Sequence, residues 1–574
     1  MPIKKEINDM IRKYAVKNAI DYGKARMENV FGKVIREVPK DQTGELRIAI
    51  QKIIDEVNSL SKGELENEYK NYEKEFDEKY EKKVETTSKP KMVLEGAVKG
   101  DFATRFAPEP SGYMHLGHAN AAYLAQEFAK IYEGKIFLYF DDSNPEKESQ
   151  EFVDAFRRDL NWLGIKFDKE YFASDSMEKI YEYAKMLISS GNAYACECNG
   201  EEIKKYRFEG TECKHRNASP SDNLNKFEMM LANKYDEEKI VIRFKGDMKS
   251  LNTALRDPTI LRIKKANHYR QGTKYIVWPL YDFNTPINDS INGVTDAIRT
   301  KEYELRGPLY DMVLDALQLR KPRMHLHARI PIKDNITSKR ELNKLIKDGY
   351  IKGYDDPRLI TISALRRRGI KPEAIREFVL RFGMSKAESS VDISMLLDEN
   401  KKLIDPTAKR LYYIPGPVDL TVKNFESAEI EIKLHPSNDL GSRKYIINNR
   451  FYISGEDASN LKDHEVIKLK ELFNVEVERE KDGLVGNLTE MEFSKDTKRV
   501  QWVSDGNYIP CKIFMPGSPL DEKGEFNPKS LRINEGYVEN YAARLDDHEI
   551  IQFERFGFCI LDDKSKMQFI FISK

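Results

Sequence analysis

The feature that most constrains this chain lies between residues 103 and 140. Two short stretches that read as buried strands, ATRFA at 103–107 and KIFLYF at 135–140, bracket PEPSGYMHLGHANAAYLAQEFA. Pro108, Pro110 and Gly112 force a turn, and the alanine-rich run after them reads as a helix. Strand, turn, helix and strand in this order make a β-α-β unit, which demands a parallel sheet. Ligands bind where the strand hands over to the helix. The first turn of that helix carries unpaired N–H groups and a partial positive charge. His115 and His118 are three residues apart there and share a face. Gly117 between them has no side chain, which would let a flat ligand approach the backbone. The reading is a phosphate site with donors aimed at developing charge. The residues alone leave a plainer alternative, a pair of exposed or capping histidines.

The other segments differ in texture. A chain of 574 residues with 40% hydrophobic residues divides into about three to five domains. In residues 1–97, Ile7, Ile11, Tyr14, Ala15 and Ala19 keep helical spacing. The charged run GELENEYKNYEKEFDEKYEKK, free of Pro and interior Gly, reads as a solvated helix face, and TTSKP as a linker. Residues 174–275 mix helix and polar loop. KYIVWPLYDF then returns to strand-like texture, and residues 339–400 are helical with basic runs such as LRRRG. After about 405, RLYYI, VDLTV, EIEIKL, KYIIN, RVQWVS and EIIQFERFGFCILD alternate with turn residues, the texture of antiparallel sheets or barrels. No run reaches the ~18 apolar residues of a membrane span, so no membrane partner is expected. The start lacks the apolar core of a secretory signal. Five cysteines do not make a disulfide scaffold in a chain this long. These features read as a cytoplasmic protein. A formal net charge of zero neither supports nor excludes a nucleic-acid partner, because the local field decides.

Three cysteines cluster. Cys196, Cys198, Cys213 and His215 form C-x-C…C-x-H, three thiolates and one imidazole, which suits one structural, tetrahedral zinc ion. The alternative is free buried thiols. Cys511 and Cys559 have no metal-like spacing and read as core.

The stretch around HLGH resembles the HIGH-motif region of the class I aminoacyl-tRNA synthetases, in their glutamyl/glutaminyl branch. DNITSKREL resembles the mobile KMSKS loop, with Ile336 to Arg340 as the counterpart and Ser338 and Lys339 at its centre. The first lysine of that motif is missing, as on the glutaminyl side of the family. GYDDPRLITISALRRRGIKPEAIREF is similar to the archaeal and eukaryotic members. The resemblance runs from about residue 100 to the C-terminus. It implies a multidomain fold: an α/β Rossmann-type catalytic domain (98–173 and 276–335) split by an acceptor-binding insert (174–275). A lysine loop and helical stem-contact domain (336–404) follow, then two anticodon-binding antiparallel β-barrels (405–574). Residues 1–97 form an N-terminal helical extension, for which docking of another protein and contact with tRNA are both open.

The activity this resemblance implies is ATP-dependent attachment of glutamate to tRNA through a glutamyl adenylate. By resemblance, His115, Gly117, His118, Ser338 and Lys339 handle ATP, with magnesium carrying the remaining phosphate charge. Asp141, in FDDSNP, matches the acid that binds the substrate ammonium, and Arg105 and Tyr281 match residues lining the side-chain pocket. Arg299, in GVTDAIRTKEY, matches an arginine of the glutamyl members, where glutaminyl members carry a small uncharged residue. A second guanidinium suits a γ-carboxylate and mismatches an amide. The simpler alternative is that Arg299 only holds a nearby acid. Leu305 stands where glutaminyl members carry an aspartate that reads the acceptor stem. Arg410, Gln552 and Arg555 match anticodon-reading positions. The implied partners are glutamate, ATP and the glutamate tRNA, with the glutamine tRNA left open. The competing readings are a glutamine–tRNA ligase, disfavoured by Arg299, and a non-catalytic tRNA-binding paralogue, disfavoured by the intact HLGH and SKR.

Overall fold

The β-α-β unit forms as its residues dictate. In the computed structural model, strand Ala103–Phe106 pairs in parallel with Lys135–Phe140, Arg105 lying opposite Phe137. Lys135–Phe140 pairs in parallel with Lys169–Phe172. The structure describes all residues except 1–4, 23, 36–42, 62, 73–91, 337–338, 388–389, 481–482 and 490–496. Helix Leu116–Ile131 joins the first two strands and buries Leu116, Ala119, Ala122, Tyr123, Leu124, Ala125, Phe128 and Ala129. Its alanines let it approach the sheet closely. Asp296–Thr300 and Arg323–His327 form a further parallel pair. Thr295 N–H donates to the Ala103 carbonyl at 2.8 Å and brings this pair beside the first strand. Numbered along the chain, the five strands lie in the order 3-2-1-4-5. The order reverses between Ala103–Phe106 and Asp296–Thr300, and ligands bind at such a reversal. Arg105 and Arg299 stand on its two sides.

Between the third and fourth of these strands lies the insert. Its sheet is antiparallel, in the order Ala193–Cys196, Val241–Phe244, Thr259–Ile263 and Val277–Pro279. The sequence reading of this region as helix and polar loop missed the sheet. Its strands are three to five residues long, too short to display an alternation. KYIVWPLYDF is strand only at Val277–Pro279, and that strand belongs to the insert's sheet. Tyr281 opens helix Tyr281–Ile291 instead.

Helices Lys339–Lys347, Ile362–Arg367, Pro372–Leu380 and Ser394–Ile404 follow. Two seven-stranded sheets then close the chain. One has Lys409–Leu411 and Tyr413–Pro415 as its two end strands. Those strands are separated by Tyr412 alone, so the sheet curls into a nearly closed barrel. A single apolar core runs from Leu116 and Phe140 through Ile362, Ile375 and Phe378 to Phe558 and Ile572 in this barrel.

Residues 1–89 form a separate compact unit. Helices Lys5–Tyr22, Met27–Val34, Thr43–Asn58 and 63–72 bury Ile11, Ala15, Ala19, Leu46, Ile50 and Ile54. Within the charged run, Leu65, Tyr69 and Tyr72 pack onto this core, so its described part is not only a solvated face. The rest of the run, from residue 73, lies outside the described residues. No helix among the described residues is long and apolar enough to cross a membrane.

Gly134 turns the chain from the first helix into Lys135–Phe140. A Cβ there would lie 2.1 Å from the Phe102 carbonyl oxygen and 2.7 Å from the Phe102 Cβ. Gly134→Ala must therefore displace the first strand and is expected to cost about 1–3 kcal/mol. Thermal melting measures this; an unchanged midpoint would contradict the close approach.

Candidate active site

His115 is the N-cap of helix Leu116–Ile131, and the two histidines cap it reciprocally. Gly117 N–H donates to His115 Nδ1 at 3.1 Å, and His115 N–H donates to His118 Nδ1 at 3.3 Å. The rings stack with centroids 3.8 Å apart. The capping alternative is thus realised, and it determines the chemistry of the free edges. With each Nδ1 accepting, the neutral ring carries its proton on Nε2 and is a donor there. Burial, with Arg329 nearby, pulls the His115 pKa down to about 4. Burial, with His115 beside it, lowers that of His118 well below the usual value. Both rings are therefore neutral Nε2–H donors at physiological pH. The need for Gly117 is also sharpened. A Cβ there would stand 2.9 Å from His115 Cε1, so the glycine makes room for the capping ring rather than for a ligand.

The HLGH segment is fixed by backbone bonds from another motif. Leu116 N–H donates to the Ile360 carbonyl at 3.1 Å, and Ile362 N–H to the Met114 carbonyl at 2.9 Å. Thr361 lies opposite His115 and caps the next helix, Ile362–Arg367. The PRLIT part of GYDDPRLIT thus sets two helix N-termini side by side.

Arg105 and Arg299 converge on one carboxylate that sequence reasoning missed. Arg105 Nε donates to Asp289 Oδ1 at 2.7 Å and its Nη2 to Oδ2 at 3.2 Å. Arg299 Nη2 donates to the same Oδ2 at 2.9 Å, and the Tyr310 hydroxyl joins it at 3.0 Å. All three charged residues are buried. Burial works against the Arg105 charge, but the Asp289 carboxylate outweighs it and raises the pKa above the usual value. Two guanidinium groups share one carboxylate, so one positive charge is left over. Arg299 Nε and the Tyr171 hydroxyl are buried and partnerless. Tyr281 lies under Arg299, whose guanidinium carbon is 5.6 Å from the ring centroid, and stacks on Tyr303 at 4.8 Å. Arg299 does hold a nearby acid, as the simpler alternative had it, but its Nε is still unspent.

Asp141 leaves the end of strand Lys135–Phe140. Its N–H donates to the Pro108 carbonyl at 3.0 Å, tying FDDSNP to the PEPSG turn. Oδ1 accepts from Ser143 Oγ at 2.9 Å and from Asn284 Nδ2 at 2.8 Å. Burial, with Glu109 and Asp289 adding to it against these two donors, pushes its pKa up to about 6.

Ser338 of the lysine loop lies outside the described residues, as does the side chain of Lys339, which opens helix Lys339–Lys347. The flanks are fixed. Ile336, Leu342 and Leu345 pack with Leu520 and Phe526 of the last barrel's long loop, and Ser518 Oγ donates to the Asp334 carbonyl at 2.7 Å. In the barrels, Arg410 lies opposite Gln552 in the parallel register. Arg410 Nε and Gln552 Oε1 are buried and partnerless. Arg555 stands apart from them in a turn and grips Asp457 with both nitrogens, at 3.0 and 3.2 Å.

The cysteine cluster is assembled in the insert. Cys196 Sγ is 3.8 Å from Cys213 Sγ and 3.8 Å from His215 Nδ1, and Cys198 Sγ is 3.4 Å from that nitrogen. A zinc tetrahedron with Zn–S bonds of about 2.3 Å has edges of about 3.8 Å, so the donor set fits. His215 Nε2 faces Glu197, which Lys226 holds at 2.7 Å. Buried Arg243 places Nη1 3.9 Å from the sulfurs of Cys196 and Cys213.

Asp289, Asn284, Tyr310 and Arg329 were not found from the sequence. For the helix residues a signal exists. NTPIND sets Asn284, Asn288 and Asp289 on a segment whose apolar neighbours mark it as buried, and buried polar groups need a reason.

Comparison with known proteins matches residues 101–405 to "tRNA synthetases class I (E and Q), catalytic domain". Residues 408–496 and 499–562 match the anti-codon binding domains of the same synthetases. A glutamate–tRNA ligase of Nitrosopumilus maritimus is 41% identical over 572 residues, 98% of this chain and 99% of that protein. Those of Cenarchaeum symbiosum and Pyrococcus furiosus are 37% and 38% identical, over 96% and 97% of each chain.

The capping geometry has a spectroscopic consequence. Because burial lowers both pKa values, NMR of the ring nitrogens is expected to find His115 and His118 as neutral Nε2–H tautomers from pH 8 down to about 5.5. A ring that titrates near 6.5 would refute the reciprocal cap.

Proposed function

The chain belongs to the class I tRNA synthetases of the glutamate and glutamine type, and from that premise we propose how its residues carry the reaction. The reaction is ATP-dependent attachment of glutamate to tRNA. A carboxylate oxygen of glutamate attacks the α-phosphorus of ATP, the bond to the bridging oxygen breaks, and pyrophosphate leaves. A hydroxyl of the terminal tRNA ribose then attacks the acyl carbon, and AMP leaves with the bonding electrons. No covalent enzyme intermediate is needed, so positioning and charge stabilisation supply most of the rate. Class I enzymes use ATP with magnesium, which enters here as substrate.

The observation that carries the choice of amino acid is the surplus charge at Asp289. Arg105 and Arg299 bring two positive charges against one negative charge in a buried site. The γ-carboxylate of glutamate completes the balance and gives the partnerless Arg299 Nε an acceptor. Glutamine would leave the charge uncompensated and turn its own N–H donors toward other donors. Asp141 receives the ammonium, supported by its open Oδ2 beside the pocket. The Nε2–H edges of His115 and His118 and the adjacent helix N-terminus stabilise the phosphates. Lys339 completes that set, and Ser338 flanks it. Arg410, Gln552 and Arg555 read the anticodon of the glutamate tRNA; the unspent hydrogen-bonding atoms of the first two favour this.

Cys196, Cys198, Cys213 and His215 hold a structural zinc ion that clamps the insert's loop, with Arg243 offsetting the thiolate charge and Glu197 orienting His215. The donor spacing supports it.

Two outcomes follow. Arg299→Ala leaves the Asp289 pocket without its surplus charge and is expected to raise KM for glutamate by about a hundredfold or more, with KM for ATP nearly unchanged. Steady-state aminoacylation checks this, and equal effects on both substrates would remove Arg299 from the pocket. Metal analysis of the purified chain is expected to find about one zinc, lost in Cys196→Ser together with a fall in melting temperature. A zinc-free chain of undiminished stability would overturn the assignment.

A further inference from the structure

Asn284 is fully buried on helix Tyr281–Ile291, one turn beyond Tyr281. Its Nδ2 donates to Asp141 Oδ1 at 2.8 Å and to the Tyr139 hydroxyl at 2.9 Å. Its Oδ1 accepts from Asn288 Nδ2 at 2.9 Å, and Asn288 is buried as well. This prop settles which way the amide faces: with the oxygen turned to Asn288, the nitrogen must point at Asp141. Ser143 Oγ donates to the same Asp141 oxygen at 2.9 Å. Both side-chain donors therefore fall on Oδ1, and Oδ2 is left for an outside cation.

Burying two amides is unfavourable unless they are hydrogen-bonded, so the partners they take are informative. A purely structural asparagine would satisfy the backbone of its surroundings. The Asn284 side chain bonds to no backbone group; its partners are Asp141, Tyr139 and the asparagine that orients it. We propose that Asn284 is a positioning residue for the amino acid: with Ser143 it locks Oδ1 of Asp141 and presents Oδ2 to the substrate ammonium. This rests on the reading of Asp141 as the ammonium acceptor.

The electrostatic setting explains why such a lock matters. Asp141 is surrounded by acids and phenols. Glu109 comes from the PEPSG turn, Asp142 and Glu148 from its own loop, Asp289 from the Asn284 helix, Tyr139 from the strand before it, and Tyr303 from the short helix Lys301–Arg306. Burial and its acidic neighbours already hold its pKa near 6, and the Asn284 and Ser143 donors are what oppose them. Without the amide, Asp141 would keep its proton to higher pH and could not pair with an ammonium there.

The test is aminoacylation by the full-length enzyme with tRNA present, from pH 5.5 to 8.5. Asn284→Asp keeps the shape, replaces the amide donor by a carboxyl group and sets a like charge beside Asp141. KM for glutamate is expected to rise about tenfold or more at neutral pH, with KM for ATP unchanged. The acid limb of kcat/KM for glutamate is expected to move up by about one pH unit. A folded Asn284→Asp enzyme with the wild-type KM and limb would overturn the proposal. Should that variant fail to fold, Ser143→Ala, on a half-buried loop, probes the same oxygen; a smaller upward move of the limb supports the lock, and an unmoved limb overturns it. Asp141→Asn separates the two levels. If it leaves KM for glutamate at the wild-type value, the ammonium reading itself falls. If it raises KM while Asn284→Asp does not, only the positioning role falls.

Discussion

The pocket depends on one carboxylate held between two guanidinium groups. Neither Arg105 nor Arg299 could be buried alone without a large desolvation cost, and side by side they would repel. Asp289 makes their burial tolerable by accepting from both, and the Tyr310 hydroxyl and ring complete the enclosure. The compensation is deliberately incomplete in its arithmetic, with two charges against one. That imbalance is retained because the strands bearing the arginines meet where the sheet order reverses, a place the topology leaves open to a ligand. On the proposed reading, the preference for an acidic side chain follows from this surplus positive charge, which is built into the fold.

The histidine pair, proposed to face the phosphates, is built differently. His115 and His118 contribute no net charge there; they contribute oriented N–H bonds and a helix N-terminus. Fixed neutral donors hold a triphosphate less tightly than cations would, and gain most where charge grows in the transition state. The two halves of the site therefore divide the labour. The paired arginines bring net charge to the proposed amino-acid pocket, and the histidine pair brings only oriented dipoles to the proposed phosphate site.

The first β-α-β unit could be read directly, because Ala103–Phe106 and Lys135–Phe140 read as short strands that are buried except at Lys135, and the intervening helix has a regular buried face. The barrels showed through for a similar reason: strands such as Asn474–Glu480 alternate buried Val475 and Val477 with less buried residues. The insert's sheet did not, since strands of three to five residues carry no period. Tyr281 was placed in a strand because IVWPLY is a continuous apolar run, and such a run does not distinguish a strand from the start of a buried helix. Gly117 was legible as a position that rejects a side chain, but not for the right reason, because only the folded cap shows His115 against it. Asp289 and Asn284 escaped because a lone acid or amide in a helix has no spacing signature; their apolar neighbours hint at burial, but only the fold shows what they touch.

The histidine pair has its own dependence, which reaches into the barrels. HLGH is held by main-chain bonds to Ile360–Ile362, so its geometry follows wherever that segment goes. The same segment is bracketed by arginines committed to the last barrel. Arg358 donates to Ser530 Oγ at 3.2 Å, Arg367 holds Asp562 with two bonds of 2.8 Å, and Arg368 donates to the Ile572 carbonyl at 3.0 Å. Partly exposed ion pairs such as Arg367–Asp562 add little stability by themselves. Their weight is geometric. Backbone hydrogen bonds tolerate only small displacements before they weaken, so a barrel seated a fraction of an ångström away would carry Thr361 with it and strain the His115 cap. The interdomain core from Leu116 to Ile572 resists that shift, because close-packed apolar surfaces cannot slide without opening voids. The geometry of the histidine pair is therefore a product of packing between domains as much as of the two histidines.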